Sequence, residues 1–240
     1  MGDHINRPEG PAPLLAAGSK AVHLDTPIGP RPQLNGPPIE GTAEAGLAGV
    51  TGVSFSKSLA AIKGMNSDGG VGVLAEGDVA LHATGRLAGL FQGDVEVTGD
   101  IRLTNADCAE EFDVVDGPSI EPGTVMVLTD DGLVSPSRAA YDTRVAGVVS
   151  GAGDYRPALT LDAHSSARER LPLALMGKVF CRVDATPASI QVGDLLTTSP
   201  IEGCAMKAVD PARAFGTVIG KALRPLESGL GLIPILVGLG

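Results

Sequence analysis

Proline and glycine divide this chain before any other residue is considered. Eight of the 18 prolines fall within residues 1–44, while residues 45–103 contain none and place glycines at 46, 49, 52, 64, 69, 70, 72, 77, 85, 89, 93 and 99. Proline removes a backbone donor and restricts the residue before it. The first segment, with its Pro-Ala-Pro, Pro-Arg-Pro and Gly-Pro-Pro steps, is therefore predicted to be an extended, irregular attachment arm. Its short apolar clusters, Leu14-Leu15-Ala16-Ala17 and Ala21-Val22-His23-Leu24, would be docking points.

The proline-free segment reads differently. Short alternating or apolar pieces such as GVTGVSFS, GGVGVLAEG, VALHATG and DVEVTG run between its glycines, and a Gly-Asp step recurs at Gly77-Asp78, Gly93-Asp94 and Gly99-Asp100. This is a strand, turn, strand pattern at a spacing of roughly 6 to 12 residues. Ala, Gly, Val and Ser remove little apolar area from water, so rungs this short bury no core within one chain. They gain stability when three copies turn their apolar edges to a common axis, as in a β-prism, or when one chain coils into a β-helix-like solenoid. A monomeric β-meander is a third arrangement compatible with the pattern.

Composition favours β-structure throughout. The chain has no Trp, 2 Tyr and 5 Phe against 33 Gly and 43% hydrophobic residues, so its core is built from Val, Leu, Ile and Ala around many turns. From residue 112 onward, strand-like runs occur at Phe112–Val115, Thr124–Leu128, Ala146–Val149, Leu173–Val183, Ala205–Ala208, Phe215–Leu223 and Leu232–Val237. Turn signals such as Glu121-Pro122-Gly123, Asp130-Asp131-Gly132 and Val192-Gly193-Asp194 separate them. Short helical turns are expected only near Pro136–Ala140 and Asp210–Ala214. The expected fold class is all-β: an extended arm over 1–44, a Gly-rich β-stalk over 45–103, and a β-barrel or sandwich head over 104–240.

A net charge of −10, with Lys and Arg scattered singly, argues against nucleic acid as a partner. The N-terminus shows no basic region followed by an apolar run, and no stretch reaches the roughly 18 apolar residues of a membrane helix, so neither signal processing nor membrane insertion is expected. Cys108, Cys181 and Cys204 stand far apart, as do His4, His23, His82 and His164. That dispersion predicts reduced, mostly buried cysteines, with neither a metal site nor a disulfide framework. The turn glycines lack the strand, loop and helix context of a phosphate loop, so no cofactor is expected. Scarce aromatics argue against a glycan-cleaving cleft. Tyr141-Asp142-Thr143-Arg144 reads as a structural ion pair or an interchain contact.

Asp107, Glu110 and Glu111 fall within five residues at the seam between stalk and head. On residue types alone this cluster is a solvated hinge, a helix cap or a site of chemistry. Around it stand the blocks TGDIRLTNADCAEEF, EPGTVMVL, YDTRVAGVVSGAG, LPLALMGKVFCRVDA, IQVGDLLTTS, GCAMKA and FGTVIGKALRPLESGLGLIPILV. Together, over about residues 95–238, they resemble the C-terminal domain of phage neck-appendage and tail-spike proteins and of related bacterial fibre proteins.

The resemblance implies an intramolecular chaperone that trimerises a fibre and, in some members, then cuts itself off. In those relatives the break falls before an Asp that is followed three residues later by a Glu. Asp107-x-x-Glu110 has that spacing, which places the bond at risk at Ala106–Asp107. The implied chemistry is a single-turnover reaction of the glutamic-peptidase type. Glu110 would be the base that activates the nucleophile, and Asp107 would polarise or protonate the scissile amide. Two carboxyls crowded at a trimer interface can divide those tasks. Glu111 would substitute for Glu110 or pair with Arg102. The function expected is a homotrimeric fibre or spike component of a phage tail or phage-like contractile particle, made in the cytoplasm and acting outside it. Its arm would hold a baseplate, tail or neck protein, and its head would meet a cell-surface receptor; the alternative is a self-processing peptidase.

Overall fold

A computed structural model of the chain describes residues 53–58, 60–65, 69–115 and 119–238. The arm expected over 1–44 lies outside them, as does the start of the expected stalk. The chain divides into two compact units, Met1–Leu90 and Phe91–Gly240. In the first, the described residues follow bends and extended stretches, and none lies in a paired strand. Val71, Val73, Leu74, Val79 and Leu81 are each 71–75% exposed there. A meander closed within one chain is thus absent from the described residues of this segment.

The second unit holds ten strands and one helical turn: β1 (Asp107–Asp113), β2 (Val125–Leu128), β3 (Val134–Pro136), β4 (Val145–Val149), β5 (Pro157–Leu161), β6 (Arg170–Asp184), β7 (Leu195–Thr198), β8 (Ala205–Lys207), α1 (Pro211–Ala214), β9 (Val218–Ala222) and β10 (Leu230–Gly238). The fold is all-β. β6 is the hub. Its second half, Met176–Asp184, pairs antiparallel with the whole of β10. From there the order β10-β9-β7-β8-β6 returns to β6, closing a five-stranded barrel. β4, β2 and β3 continue the sheet from β6. The first half of β6 pairs antiparallel with β1, beside which β5 runs parallel.

Alternation explains which residues fill the barrel, because successive side chains of a strand point to opposite faces. In β10, Ile233, Ile235 and Val237 are buried while Leu232 and Leu236 are exposed. In the second half of β6, Val179, Cys181 and Val183 are fully buried, and they join Leu196, Ile219 and Ile190 in one apolar cluster. A smaller cluster of Val114, Met126, Val134, Val149 and Leu173 lies under β2, β3 and β4. At Gly220 a side chain would run into the Leu236 carbonyl oxygen, so glycine is what lets β9 lie this close to β10.

Several expectations change. Pro136–Ala140 forms no helical turn; Val134–Pro136 is instead β3, paired with Met126–Leu128 of β2. The turn expected near Asp210–Ala214 is α1, with Asp210 as N-cap accepting from the Ala212 N–H. β5 and β7 were not expected as strands. The Leu195-Leu196-Thr197-Thr198 sequence of β7 carries hydroxyls into the interior, and they are satisfied there: Thr197 Oγ1 bonds the Thr217 carbonyl and hydroxyl, each at 3.0 Å. The turn glycines Gly123 and Gly193 have φ of 92° and 89°, as turn corners require.

The barrel interior and its outer wall make opposite demands on adjacent residues. Ile235→Ala is expected to destabilise the fold by about 2–5 kcal/mol in denaturant unfolding, whereas Leu236→Ala costs less than about 1 kcal/mol.

Candidate functional site

The seam between the two sequence regions is a strand. β1 pairs with β6 from Asp107↔Gly177 to Asp113↔Arg170, and with β5 from Asp107↔Pro157 to Glu110↔Leu161. It is therefore neither a solvated hinge nor a helix cap. Asp107 and Ala109 are buried, while Cys108 and Glu110 between and after them are partly exposed. Little in Asp-Cys-Ala-Glu-Glu-Phe-Asp favours a strand by propensity; the two flanking ladders impose it.

The Ala106–Asp107 peptide is anchored on both sides. The Ala106 N–H donates to the Arg156 carbonyl at 3.0 Å, and the Ala106 carbonyl accepts from the Lys178 N–H at 3.2 Å. Gly177 makes this approach possible. Its φ is 108°, and a Cβ on it would stand 2.7 Å from the Ala106 oxygen and 2.9 Å from the Asp107 Cα. A bulkier residue would push β1 away from β6.

The Asp107 side chain is 3% exposed. Ser150 Oγ donates to Asp107 Oδ2 at 2.8 Å, and Oδ1 has no hydrogen-bond partner. Burial pushes the carboxyl above the usual carboxylate range, with the Ser150 hydrogen bond pulling the other way. A neutral Asp107 can hold and give up a proton beside the Ala106–Asp107 amide. Glu110 is elsewhere: three positions along an alternating strand, it belongs to the opposite face of β1, where it lies between Leu173 and Leu161 in register. Within one chain the two predicted site residues are not brought together.

Glu111 pairs with Arg170, at 3.6 Å from Oε2 to Nε, rather than with Arg102. Arg170 binds a polar knot, reaching Asp113 at 3.4 Å, the Glu111 carbonyl at 2.6 Å and the Asp162 carboxylate. His164 completes it. Its Nε2 lies 2.9 Å from Arg170 Nη1, and its Nδ1 lies 3.0 and 3.1 Å from the Asp162 carbonyl and carboxylate. Arginine can only donate, so Nε2 accepts and Nδ1 carries the proton. The hydrogen bond from Arg170 holds the Asp162 carboxyl below its ordinary range despite some desolvation. This knot ties the loop after β5 to β1 and β6. Asp162 and His164 lie within eight residues of Arg170, but Ser150 and the β1 partners of Arg170 escape the residue spacing because those pairs lie 43 to 59 residues apart.

A groove of about 770 Å³ opens beside β2 and β3, lined in part by Ile120, Thr124 and Val127. Its three arginines all have carboxylate partners: Arg138 with Glu202 at 2.8 Å, Arg144 with Asp142 at 3.3 Å, and Arg182 with Glu121 at 3.6 Å. The Asp142–Arg144 pair is the structural ion pair expected from sequence. Tyr141, at φ 59°, accepts the Asp210 N–H through its hydroxyl, and Arg213 stacks 4.4 Å from its ring centre. Cys181 and Cys204 are buried free thiols, and Cys108 is partly exposed. Among the described residues no group of three His, Cys, Asp or Glu side chains is placed to hold a metal ion, and no helix is long and apolar enough to cross a membrane.

No protein-family model and no curated protein matches the sequence. Among solved structures, the chain is similar to the C-terminal fragment of bacteriophage phi29 gene product 12, with 17% identity, 55% of this chain and 99% of that one covered, and a TM-score of 0.37. It is also similar to the pre-mature phi29 gene product 12, with 17% identity and a TM-score of 0.41; the match takes in 60% of this chain and spans 23% of the length of that one. A third similarity is to the N base of the phi29 head fiber gp8.5, with 17% identity, coverage of 56% and 91%, and a TM-score of 0.25.

Because burial raises the Asp107 pKa above its unfolded value of 3.8, the native state holds this proton to higher pH than the unfolded chain does. Stability attached to Asp107 is full below pH 3.8 and is lost as pH rises through the folded pKa. Denaturant unfolding of wild type and Asp107→Asn across acidic to neutral pH is expected to show this: the wild type loses stability relative to the Asn variant as pH rises. Parallel curves would mean that Asp107 does not titrate abnormally.

Proposed function

We propose that this chain is a structural fibre component of a phage or phage-like particle, working as a homotrimer. The observation that carries the reading is the stretch from Val71 to Leu103. Its large apolar residues are 48–75% exposed, and no strand among its described residues is paired within the chain. A soluble monomer rarely leaves so many apolar side chains in water, so such a surface marks an interface. Further support comes from the resemblance over residues 95–238 and from the compact all-β unit that follows the exposed stretch.

In this reading residues 1–44 attach the fibre to a baseplate, tail or neck protein, residues 45–103 form the intertwined stalk, and residues 104–240 trimerise it. The head then stands as a tip that meets a cell-surface receptor. Light scattering on the purified full chain tests the assembly. A mass about three times 24.2 kDa is expected, and a clean monomer would sink the reading.

The burial of Asp107 favours a second reading, in which the assembled chain cuts Ala106–Asp107 once. Hydrolysis adds water across this bond: hydroxyl goes to the Ala106 carbonyl carbon and a proton to the Asp107 nitrogen. A protonated Asp107 suits the second task. Glu110 activates the water, and since the Glu110 of the same chain occupies the other face of β1, the base in this reading comes from a neighbouring copy. Intact mass under denaturing conditions decides it. Fragments that split between residues 106 and 107 are expected from the wild type, and a single full-length species from Glu110→Gln. Equal cleavage of both chains would remove Glu110 from the reaction.

A further inference from the structure

Residues 69–104 carry an eight-residue repeat. Glycine stands at 69, 77, 85 and 93; two positions on, at 71, 79, 87, 95 and 103, every residue is Val or Leu. Two positions further, Val73, Leu81 and Val97 are apolar again, with Gly89 the exception. The backbone bends at or next to each of these glycines, at 69–70, 77–80, 85–87 and 93, with further bends at 72 and 98–99. Positions two apart on an extended segment share a face, so the pairs Val71/Val73, Val79/Leu81 and Val95/Val97 each present two apolar side chains to one side, and Leu87 presents one. Those residues are 48–75% exposed in the single chain.

We infer that residues 69–104 form a stalk in which three copies of this chain each supply one octad to every layer, with the repeated Val and Leu residues on the common axis. This rests on the fibre reading and specifies how its stalk is built. Eight extended residues span about 26 Å at about 3.3 Å each. A single chain closing a coil every octad would have sides of about 9 Å, less than the roughly 10 Å between packed sheet faces, so its interior would hold no side chains. Three octads, one from each copy, enclose about three times that perimeter and leave room for an apolar axis.

Charge chooses the same arrangement. The residues after the second, third and fourth glycines, and at the equivalent position of the last repeat, are Asp78, Arg86, Asp94 and Arg102. When each copy turns onto the next side of the stalk after every octad, the octad stacked above any other is the following octad of a neighbouring copy. Asp78 then lies beside a neighbour's Arg86, and Asp94 beside a neighbour's Arg102. Opposite charges side by side on paired strands are favourable, and like charges are not.

Single cysteines placed in the full-length chain with Cys108→Ser test this, because the native Cys181 and Cys204 are buried. Under mild oxidation Val79→Cys, on the axis, is expected to give intermolecular disulfides, and Ala80→Cys, on the outward face, is not. Arg86→Asp is expected to lower the melting temperature of the assembly, and reversing all four signs together to restore it. An oligomer in which both cysteines cross-link equally, or neither does, or in which the charge changes have no effect, overturns the octad arrangement alone. A monomeric wild type overturns the fibre reading and this inference with it.

Discussion

Much of the second unit depends on the hydrogen bonding of one strand. β6 is 15 residues long, well above the five or six usual for a strand, and it belongs to two substructures at once. Its second half closes the barrel against β10, and its first half carries β1, with β4 also pairing there. Between the halves stands Gly177, in a conformation that L side chains rarely adopt. Before it Leu173 and Ala174 are both buried, and after it Val179, Cys181 and Val183 are buried in alternation. The same glycine gives Ala106 and Asp107 room to lie against the sheet. One backbone position thus joins the barrel to the seam where chemistry is proposed.

Around β6 the unit buries several polar groups, and most are compensated. Asp184 accepts from Ser199 and Thr186, Thr197 and Thr217 satisfy each other, and Arg170 gathers three carboxylates. A buried polar group costs free energy unless it is hydrogen-bonded, so these networks hold the sheet in one register. Among the described residues Asp107 Oδ1, Ser137 Oγ and Arg170 Nε are buried without a hydrogen-bond partner.

The head was legible where burial and alternation coincide. β2, β4, β6, β8, β9 and β10 follow runs of Val, Leu, Ile and Ala, and the Gly123 and Gly193 turns follow from their neighbours. β3, β5 and β7 were not legible. β3 is three residues ending in Pro136, β5 begins with Pro157 and lies largely exposed, and β7 carries two threonines inward. Each is a strand because a neighbour offers a ladder. At the candidate site, spacing and resemblance pointed to Asp107 and Glu110 together, yet strand alternation puts them on opposite faces. Ser150, Gly177 and Arg170, which shape the surroundings of Asp107 and β1, come from distant parts of the chain.

The sequence by itself determined the all-β class and the change of character near residue 104, where a Gly-punctuated, proline-free run gives way to longer runs of Val, Leu and Ile. Those properties follow from side-chain size, proline and glycine, which act locally. Only the tertiary structure decided that the seam is a strand, that Asp107 is buried against Ser150, and that Glu111 answers to Arg170. These depend on pairings between residues dozens of positions apart, and a ladder's register is set by its partner strand as much as by its own residues.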